Sequence, residues 1–334
     1  MNERAQIVLT GDRPTGRLHL GHYVGSLKQR VKLQNLHNQF VMIADTQALT
    51  DHSEKPDLVR DNVLEVALDN MSVGVDPAKT TFLIQSTIRA LPELALYFLN
   101  LVTLARLERN PTVKEEVRLK GYGMNVPAGF FMYPVSQAAD ILAFKSTLVP
   151  VGDDQLPMIE QANEIGHKFN SIYGEIFQKV QPLVTESARL PGIDGKVKMG
   201  KSLGNAIYLS DSEEVVKEKV MQMYTDPDHI HVSDSGKVEG NMVFTYLDVF
   251  DSKKDELSDL KNSYTKGGLG DVEIKRRLAV ILNTFLDPIR EERARLEKDK
   301  NTIFEILKEG SAKANLIADA TLNEAKRAMK INYF

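Results

Sequence analysis

The stretch Ile7-Val-Leu-Thr-Gly-Asp-Arg-Pro-Thr-Gly-Arg-Leu-His-Leu-Gly-His22 decides the fold that the sequence predicts. Its first four residues form an apolar run of strand length, and a turn rich in glycine and proline follows over residues 11–16. A helix begins next, because four apolar residues recur at the spacing of one helical face: Leu20, Val24, Leu27 and Val31. The stretch therefore predicts a strand–turn–helix unit, as found in α/β domains.

Three further apolar runs predict strands that alternate with helices. They span Gln39–Ala44, Thr81–Gln85 and Leu148–Val151, and a helix is predicted from Pro56 to Val73. Strands that alternate with helices form parallel sheets with right-handed crossovers. We therefore predict an α/β fold with a Rossmann-like, doubly wound parallel sheet, whose ligand lies at the carboxyl ends of the strands.

The rest of the chain is predicted to be helical. Residues 91–144 show a helical pattern without a convincing strand, which indicates a helical insertion within a first domain of residues 1–205. Beyond that point helices are predicted over residues 211–224, 273–298 and 302–331. We therefore expect a second, α-helical domain of residues 206–334.

The composition excludes several kinds of site. The 334 residues include no cysteine, which excludes disulfides, thiolate chemistry and cysteine-ligated zinc. No apolar run reaches the roughly 20 residues of a membrane span, and the start of the chain does not resemble a signal peptide. The net charge of −4 predicts no general attraction to nucleic acid. We expect a cytoplasmic protein with no membrane contact and no metal-ligating side chains.

Two motifs predict a site for a nucleoside triphosphate. His19 and His22 share one face of the first helical turn after the glycine-rich turn, where backbone N–H groups and the helix dipole favour phosphate. Far downstream, Lys198-Met-Gly-Lys-Ser202 offers two lysines for a leaving pyrophosphate, in a loop that neighbouring glycines make mobile as a lid. Each motif alone is more often a solvated or structural feature. Their combination, in this order and after a strand, favours the phosphate site.

A third group of polar residues predicts a binding pocket. Tyr133, Gln137 and Asp140 lie at i, i+4 and i+7 in a helix predicted over residues 131–144, so they share one face of an otherwise apolar segment. A polar face turned inward indicates a site, and a stripe facing solvent is the alternative. As a carboxylate, Asp140 can accept a hydrogen bond from a group that only donates, such as an indole N–H.

The motifs resemble those of a known family. His19-Leu-Gly-His22 and Lys198-Met-Gly-Lys-Ser202 look like the two signatures of class I aminoacyl-tRNA synthetases. The chain as a whole resembles the bacterial tryptophanyl-tRNA synthetases, on five further stretches: Thr10-Gly-Asp-Arg-Pro-Thr-Gly16, His22-Tyr-Val-Gly-Ser-Leu27, Ala105-Arg-Leu-Glu-Arg-Asn-Pro-Thr-Val-Lys114, Val149-Pro-Val-Gly-Asp-Asp-Gln155 and Gly240-Asn-Met-Val-Phe244.

This resemblance implies a ligase that works in two steps. The carboxylate of L-tryptophan attacks the α-phosphorus of ATP, Mg²⁺ neutralises the phosphates, and pyrophosphate leaves to give tryptophanyl-adenylate. A terminal ribose hydroxyl of tRNA(Trp) then takes the acyl group, which supplies protein biosynthesis. The resemblance also implies an anticodon-recognition role for residues 206–334 and a homodimer with residues 91–107 at the interface.

The resemblance assigns roles to individual residues. It implies four catalytic residues: His19, His22, Lys198 and Lys201. It implies that ATP is bound by Asp12, Arg13, Gly21, His22, Gly152, Asp153, Asp154, Lys198, Met199, Gly200, Lys201 and Ser202. It implies that tryptophan is bound by Asp140, Tyr133, Gln137, Gln155 and Gln47, with Asp140 on the indole nitrogen.

Three positions depart from the family pattern. Gly200 stands where the second signature usually has serine. Gln137 stands where many bacterial tryptophanyl enzymes have methionine, while tyrosyl enzymes tend to have glutamine. Gln47 replaces a histidine common in the better-known tryptophanyl branch.

Three other functions stay open on the sequence. The first is a tyrosyl-tRNA synthetase-like enzyme, although the extra C-terminal RNA-binding domain of that family has no room here. The second is a nucleotidyltransferase with the same histidine motif, although such chains are usually shorter and lack the lysine loop. The third is a catalytically inactive paralogue that binds tRNA. No anticodon-contacting residue is predicted, because the basic residues of the helical region are interleaved with acidic ones.

Overall fold

A computed structural model describes residues 6–184, 190–195, 199–226 and 228–333, without the side chains of Asp51 and Ser202. Lys198, a predicted catalytic residue, therefore lies outside the described residues. Among the described residues, no helix has the length and the apolar character needed to cross a membrane.

The described residues form one five-stranded sheet in which every strand pairing is parallel. The strands are β1 (Ile7–Asp12), β2 (Asn38–Ile43), β3 (Thr80–Ile84), β4 (Leu148–Val151) and β5 (Gln181–Val184), in the order β3-β2-β1-β4-β5. The predicted α/β fold with a parallel, doubly wound sheet is confirmed, and the four predicted strands lie within two residues of their expected bounds. The fifth strand was missed, because it has only four residues, includes a proline and is largely exposed at the edge of the sheet.

Helices connect the strands and make up most of the rest of the described chain. A continuous helical segment follows the first turn and consists of α1 (Leu20–His22), a π-helical turn (Tyr23–Leu27) and α2 (Lys28–Leu33). The others are α3 (Asp45–His52), α4 (Pro56–Ser72), α5 (Ala90–Leu99), α6 (Leu104–Glu108), α7 (Pro111–Lys120), α8 (Ala128–Ala143), α9 (Leu156–Tyr173), α10 (Glu213–Met221), α11 (Met242–Phe250), α12 (Lys254–Lys266), α13 (Asp271–Glu297) and α14 (Lys300–Ala328). Residues 90–143 thus contain four helices and no strand, as the sequence indicates.

The chain divides into two compact units, which are described separately. The first comprises the described residues within 1–16, 26–186 and 299–334, and the second those within 17–25 and 187–298. This grouping differs from the expected boundary at residue 205, because the last helix packs in the first unit. The apolar face of α14 is buried in the same core as strands β1 to β4 through Ala314, Ala318, Leu322 and Ala325. The helical periodicity of a sequence shows which face of a helix is apolar, but it does not show against which core that face packs.

The sheet brings four chain segments to one edge of the first unit. Since β1, β2, β3 and β4 are parallel neighbours, their carboxyl ends lie on the same side. Asp12 is the last residue of β1, and Asp45, Gln85 and Gly152 lie just after the ends of β2, β3 and β4. Residues predicted to bind ATP and tryptophan are therefore gathered at this edge.

Candidate active site

In the first unit, a buried ion pair fixes the carboxyl end of β1. Arg30 is 1% exposed and donates to both carboxylate oxygens of Asp12, at 2.5 and 3.1 Å. Asn70 Nδ2 donates to the same carboxylate at 3.1 Å, and Arg30 Nε donates to Thr10 Oγ1 at 3.0 Å. A bidentate pair of this kind fixes geometry as well as charge. The structure thus anchors Asp12 in the protein, while the neighbouring Arg13 is exposed.

The predicted pocket helix is α8, and its polar residues lie where the spacing predicts. Asp140 is 4% exposed, Tyr133 is 6% exposed and Gln137 is half-buried. Both oxygens of the Asp140 carboxylate accept hydrogen bonds from Gln85 Nε2, at 2.9 and 2.8 Å. The pKa of Asp140 is raised to about 7, chiefly by burial; the hydrogen bonds from Gln85 act to lower it, and the nearby charge of Asp45 acts to raise it. The residues do not form a stripe facing solvent.

Gln85 contacts the pocket residues, although the sequence analysis did not predict it as a site residue. It lies in a short 3₁₀ turn directly after β3, and its Oε1 accepts hydrogen bonds from Thr46 Oγ1 at 2.5 Å and from the backbone N–H of Gln47 at 3.1 Å. Because Oε1 accepts both of these hydrogen bonds, the Nε2 group at the other end of the amide is directed at Asp140. A polar residue at the carboxyl end of a parallel strand is the signal that could have identified it.

Asp45 ties the start of α3 to the same turn. Its carboxylate accepts hydrogen bonds from the backbone N–H of Thr46 at 2.9 Å and from the N–H and hydroxyl of Ser86 at 2.9 and 2.5 Å. The half-buried Gln47 is therefore held on an element that is fastened to the Gln85 turn.

The turn after β4 carries the other predicted residues of the first unit. Asp153 and Asp154 are exposed and Gln155 is half-buried. Gln155 Nε2 lies 3.3 Å from Asp154 Oδ2, and Thr112 Oγ1 donates to the carbonyl oxygen of Asp154 at 2.8 Å. A Cβ at Gly152 would lie 2.9 Å from Asp154 Oδ1, so glycine leaves room for that carboxylate.

The second unit brings the two signatures together. Residues 18–20 pair with residues 207–209, through Leu20 N–H to the Ile207 carbonyl and Leu209 N–H to the Leu18 carbonyl, each at 3.0 Å. His19 lies opposite Tyr208 in this short antiparallel pairing. Since residues 207–209 follow the second signature closely in the chain, the pairing supports the expectation that the two motifs act on one ligand.

His19 is neutral at physiological pH in this setting. It is 5% exposed, its ring centroid lies 3.8 Å from that of His22, and its backbone N–H donates to His22 Nδ1 at 3.2 Å. The pKa of His19 is lowered to about 3, chiefly by burial and in addition by the positive charge of Lys201. A Cβ at Gly21 would lie 2.9 Å from the His19 ring, which explains the glycine between the histidines.

Gly200 has an ordinary backbone conformation. Its φ of −149° is extended, which any residue adopts, and its N–H donates to Asn205 Oδ1 at 3.0 Å. A Cβ there would meet Leu203 Cδ1 at 3.2 Å, a contact that a small side-chain shift relieves. The usual serine would therefore fit, and glycine is not required for the shape of this segment. Met199 is buried and Lys201 begins a short 3₁₀ helix.

Comparison with known proteins gives a consistent result. The family model described as tRNA synthetases class I (W and Y) matches residues 1–287. The tryptophan–tRNA ligase of Clostridium longisporum is 56% identical over 334 residues, with 98% of each chain covered. That of Lactococcus lactis subsp. lactis is 55% identical over 335 residues, again with 98% of each covered.

The fold agrees with solved structures as well. The crystal structure of tryptophanyl-tRNA synthetase from Campylobacter jejuni, complexed with ADP and tryptophan, has a TM-score of 0.85 and 33% identity, and the match covers 97% of this chain and 99% of that one. A tyrosyl-tRNA synthetase from Archaeoglobus fulgidus, at 20% identity and a TM-score of 0.68, shares the fold. The paired signatures, the parallel sheet and these matches lead to one conclusion: the chain belongs to the class I tRNA synthetases of the tryptophan and tyrosine family.

Proposed function

We propose that this chain activates L-tryptophan with ATP to tryptophanyl-adenylate, releases pyrophosphate, and transfers the tryptophanyl group to tRNA(Trp). One observation carries the choice of amino acid within the family: the buried carboxylate of Asp140, held by Gln85. A carboxylate accepts and an indole N–H only donates, so the pair is complementary. The names of the relatives at 55–56% identity support the same substrate.

Asp140 discriminates through its charge state. A pKa of about 7 leaves the carboxyl group partly protonated at neutral pH. A bound indole N–H favours the ionised form, as the Gln85 amide does. An analogue without this N–H would lose its hydrogen bond to the buried carboxylate, and that loss weakens binding.

The histidines and lysines of the two signatures are proposed to act on the triphosphate. The tryptophan carboxylate oxygen bonds to the α-phosphorus as the α–β phosphoanhydride bond breaks, and the electron pair leaves with pyrophosphate. His19, as a neutral imidazole, donates a hydrogen bond without adding positive charge, while Lys201, together with Lys198, neutralises the pyrophosphate. Removal of one such group costs about 100-fold or more in rate.

Mg²⁺ enters with ATP in this proposal. Among the described residues, no three histidine or acidic side chains are grouped as a metal site. Mg²⁺ commonly binds through substrate phosphates, water and one or two carboxylates, and needs no dedicated protein cage. It neutralises phosphate charge during the transfer.

The helices of residues 206–298 are proposed to recognise the anticodon, and the sheet-bearing part of residues 1–205 to catalyse the reaction. α14, which packs on the sheet, is left out of the anticodon region.

We also propose a cytoplasmic homodimer that contacts its partner copy through residues 91–107. Leu96 and Leu104 are 60% and 71% exposed there, which suits an interface.

Amino-acid-dependent ATP–pyrophosphate exchange tests the proposal. The unmutated chain is expected to exchange with tryptophan and not with tyrosine. Asp140→Ala is expected to raise the KM for tryptophan by about 100-fold or more, because it removes the carboxylate that accepts a hydrogen bond from the buried indole N–H. The KM for ATP is expected to stay unchanged. Asp259→Ala, at an exposed position of α12, is the matched control.

Three outcomes would contradict the proposal. Exchange with tyrosine alone would identify a tyrosyl enzyme. Binding of tRNA(Trp) without any exchange would identify an inactive paralogue. Unchanged tryptophan dependence in Asp140→Ala would show that the pocket lies elsewhere.

A further inference from the structure

The C-terminal helix α14 covers the open edge of β3. This strand ends the described sheet on one side, so its outer backbone groups have no neighbouring strand. Ser311 Oγ accepts a hydrogen bond from the backbone N–H of Ile84 at 3.1 Å, at the last residue of the strand. A Cβ at Gly310 would lie 1.8 Å from the carbonyl oxygen of Phe82, so the helix touches the strand backbone directly.

Asn315, one turn further along α14, holds the segment that follows the strand. Its Oδ1 accepts a hydrogen bond from the backbone N–H of Arg89 at 3.0 Å, and its Nδ2 donates to the carbonyl oxygen of Thr87 at 2.8 Å. The side-chain amide of Asn315 thus links the Arg89 N–H to the Thr87 carbonyl oxygen. Asp319, a further turn along, pairs with the Arg89 side chain at 2.8 Å. This exposed pair adds little to stability.

Gln85 lies between the two points that α14 fixes. Ser311 holds the residue before it, Asn315 holds the residues two and four positions after it, and the Ile88 N–H donates to the Gln85 carbonyl at 3.0 Å. The side chain of Gln85 supplies both hydrogen bonds to the Asp140 carboxylate. We infer that Ser311 and Asn315 are positioning residues for the amino acid subsite, which they influence by holding the Gln85 amide against Asp140. The inference rests on the proposed role of Asp140 in tryptophan recognition.

The consequence is specific to one substrate. If the turn shifts, the hydrogen bonds from Gln85 to Asp140 lengthen and weaken, because such bonds are sensitive to distance and angle. The buried carboxyl group then loses the neighbour that favours its ionised form, and the protonated form no longer offers the indole N–H the same acceptor. Tryptophan binding is weakened and shifts to higher pH. None of the residues proposed to bind ATP lies in this turn.

Steady-state ATP–pyrophosphate exchange with Asn315→Ala and Ser311→Ala tests the inference. Each is expected to raise the KM for tryptophan about fivefold, the loss typical of one net hydrogen bond, and to leave the KM for ATP unchanged. The pH at which the KM for tryptophan reaches its minimum is expected to rise. Asn323→Ala, at an exposed position of the same helix, controls for the loss of an amide from α14.

A double-mutant cycle with Gln85→Ala separates positioning from general stability. If Asn315 acts through Gln85, Asn315→Ala has no further effect on the KM for tryptophan in the Gln85→Ala background, because coupled residues are not additive. Should Asn315→Ala fail to fold, Asn315→Asp keeps the acceptor for Arg89, loses the donor to Thr87, and is expected to give the same substrate-specific rise.

Distinct results would overturn the two claims. An unmutated chain without tryptophan-dependent exchange overturns the proposed function and this inference with it. A working unmutated chain with an unchanged tryptophan KM in the variants, an equal rise in both KM values, or additive effects in the cycle overturns the inference alone.

Discussion

Asp140 combines a buried position with an ionisable group, and this makes it costly for the fold. Its pKa of about 7 in the folded chain lies above the ordinary value of 3.8. Between these values the folded state keeps a proton that the unfolded state has released. The contribution of Asp140 to the free energy of unfolding is therefore fully present below pH 3.8. It decreases as the pH rises above this value and is lost as the pH rises through about 7.

Asp140→Asn is expected to remove this pH dependence. The amide can still accept from Gln85 and carries no charge to desolvate, so the variant should be more stable than the unmutated chain at pH 8, with a Tm higher by about 2 °C or more. Thermal unfolding from pH 4 to pH 8 measures the effect, and Asp259→Asn at an exposed position is the control. An unmutated chain and an Asp140→Asn variant with parallel pH profiles would contradict the assigned charge state.

At the level of single residues, the sequence predicts a role when the residue belongs to a local pattern. The spacing of Tyr133, Gln137 and Asp140 on one helix could be identified, and the structure confirms that they share a helix. Gln85 could not be identified as the partner of Asp140, because the two are 55 positions apart and meet only through the sheet. The same holds for Arg30 and Asp12, whose ion pair depends on the packing of α2 against β1.

At the level of elements, α14 depends on a glycine at its contact with β3. Glycine within a helix normally costs about 1 kcal/mol relative to alanine, so replacement by alanine stabilises an open site. Gly310 is not open, because a Cβ there would lie 1.8 Å from the Phe82 carbonyl oxygen. The helix would have to move away from the strand.

Gly310→Ala is therefore expected to destabilise the chain by about 1–3 kcal/mol, the usual cost of overpacking. Gly129→Ala in α8 is the matched control, since a Cβ there meets nothing within 4 Å and should be neutral or stabilising. Urea unfolding of both variants measures the difference. A stable Gly310→Ala variant would show that α14 does not approach β3 as closely as described.

Elements with strong periodicity were predicted correctly, and weak ones were not. The runs that gave β1 to β4 are apolar because both faces of a parallel strand are buried. β5 is exposed along most of its length and has no such run. The π-helical turn of Tyr23–Leu27 also escaped prediction, because the apolar spacing across it still fits one helical face.

For the whole molecule, the position of the last helix decides which fragments can fold. A division at residue 205 follows the change from alternating strands and helices to helices alone. The structure instead returns the chain to the sheet after residue 298, where four apolar residues of α14 enter the core: Ala314, Ala318, Leu322 and Ala325. A chain that lacks α14 exposes this core and the edge of β3 together.

A chain truncated after residue 298 is thus expected to lose tryptophan-dependent exchange and to aggregate, although it retains every residue proposed to bind tryptophan or ATP and the region proposed to recognise the anticodon. The control is a chain truncated after Lys330, which keeps all of α14 and should retain the activity and Tm of the full chain. Addition of a peptide of residues 299–334 to the shorter chain should restore part of the exchange, because α14 binds through a defined face. A soluble chain of residues 1–298 with full exchange would show that α14 is dispensable, and would favour the simpler division into a catalytic domain and a separate helical domain.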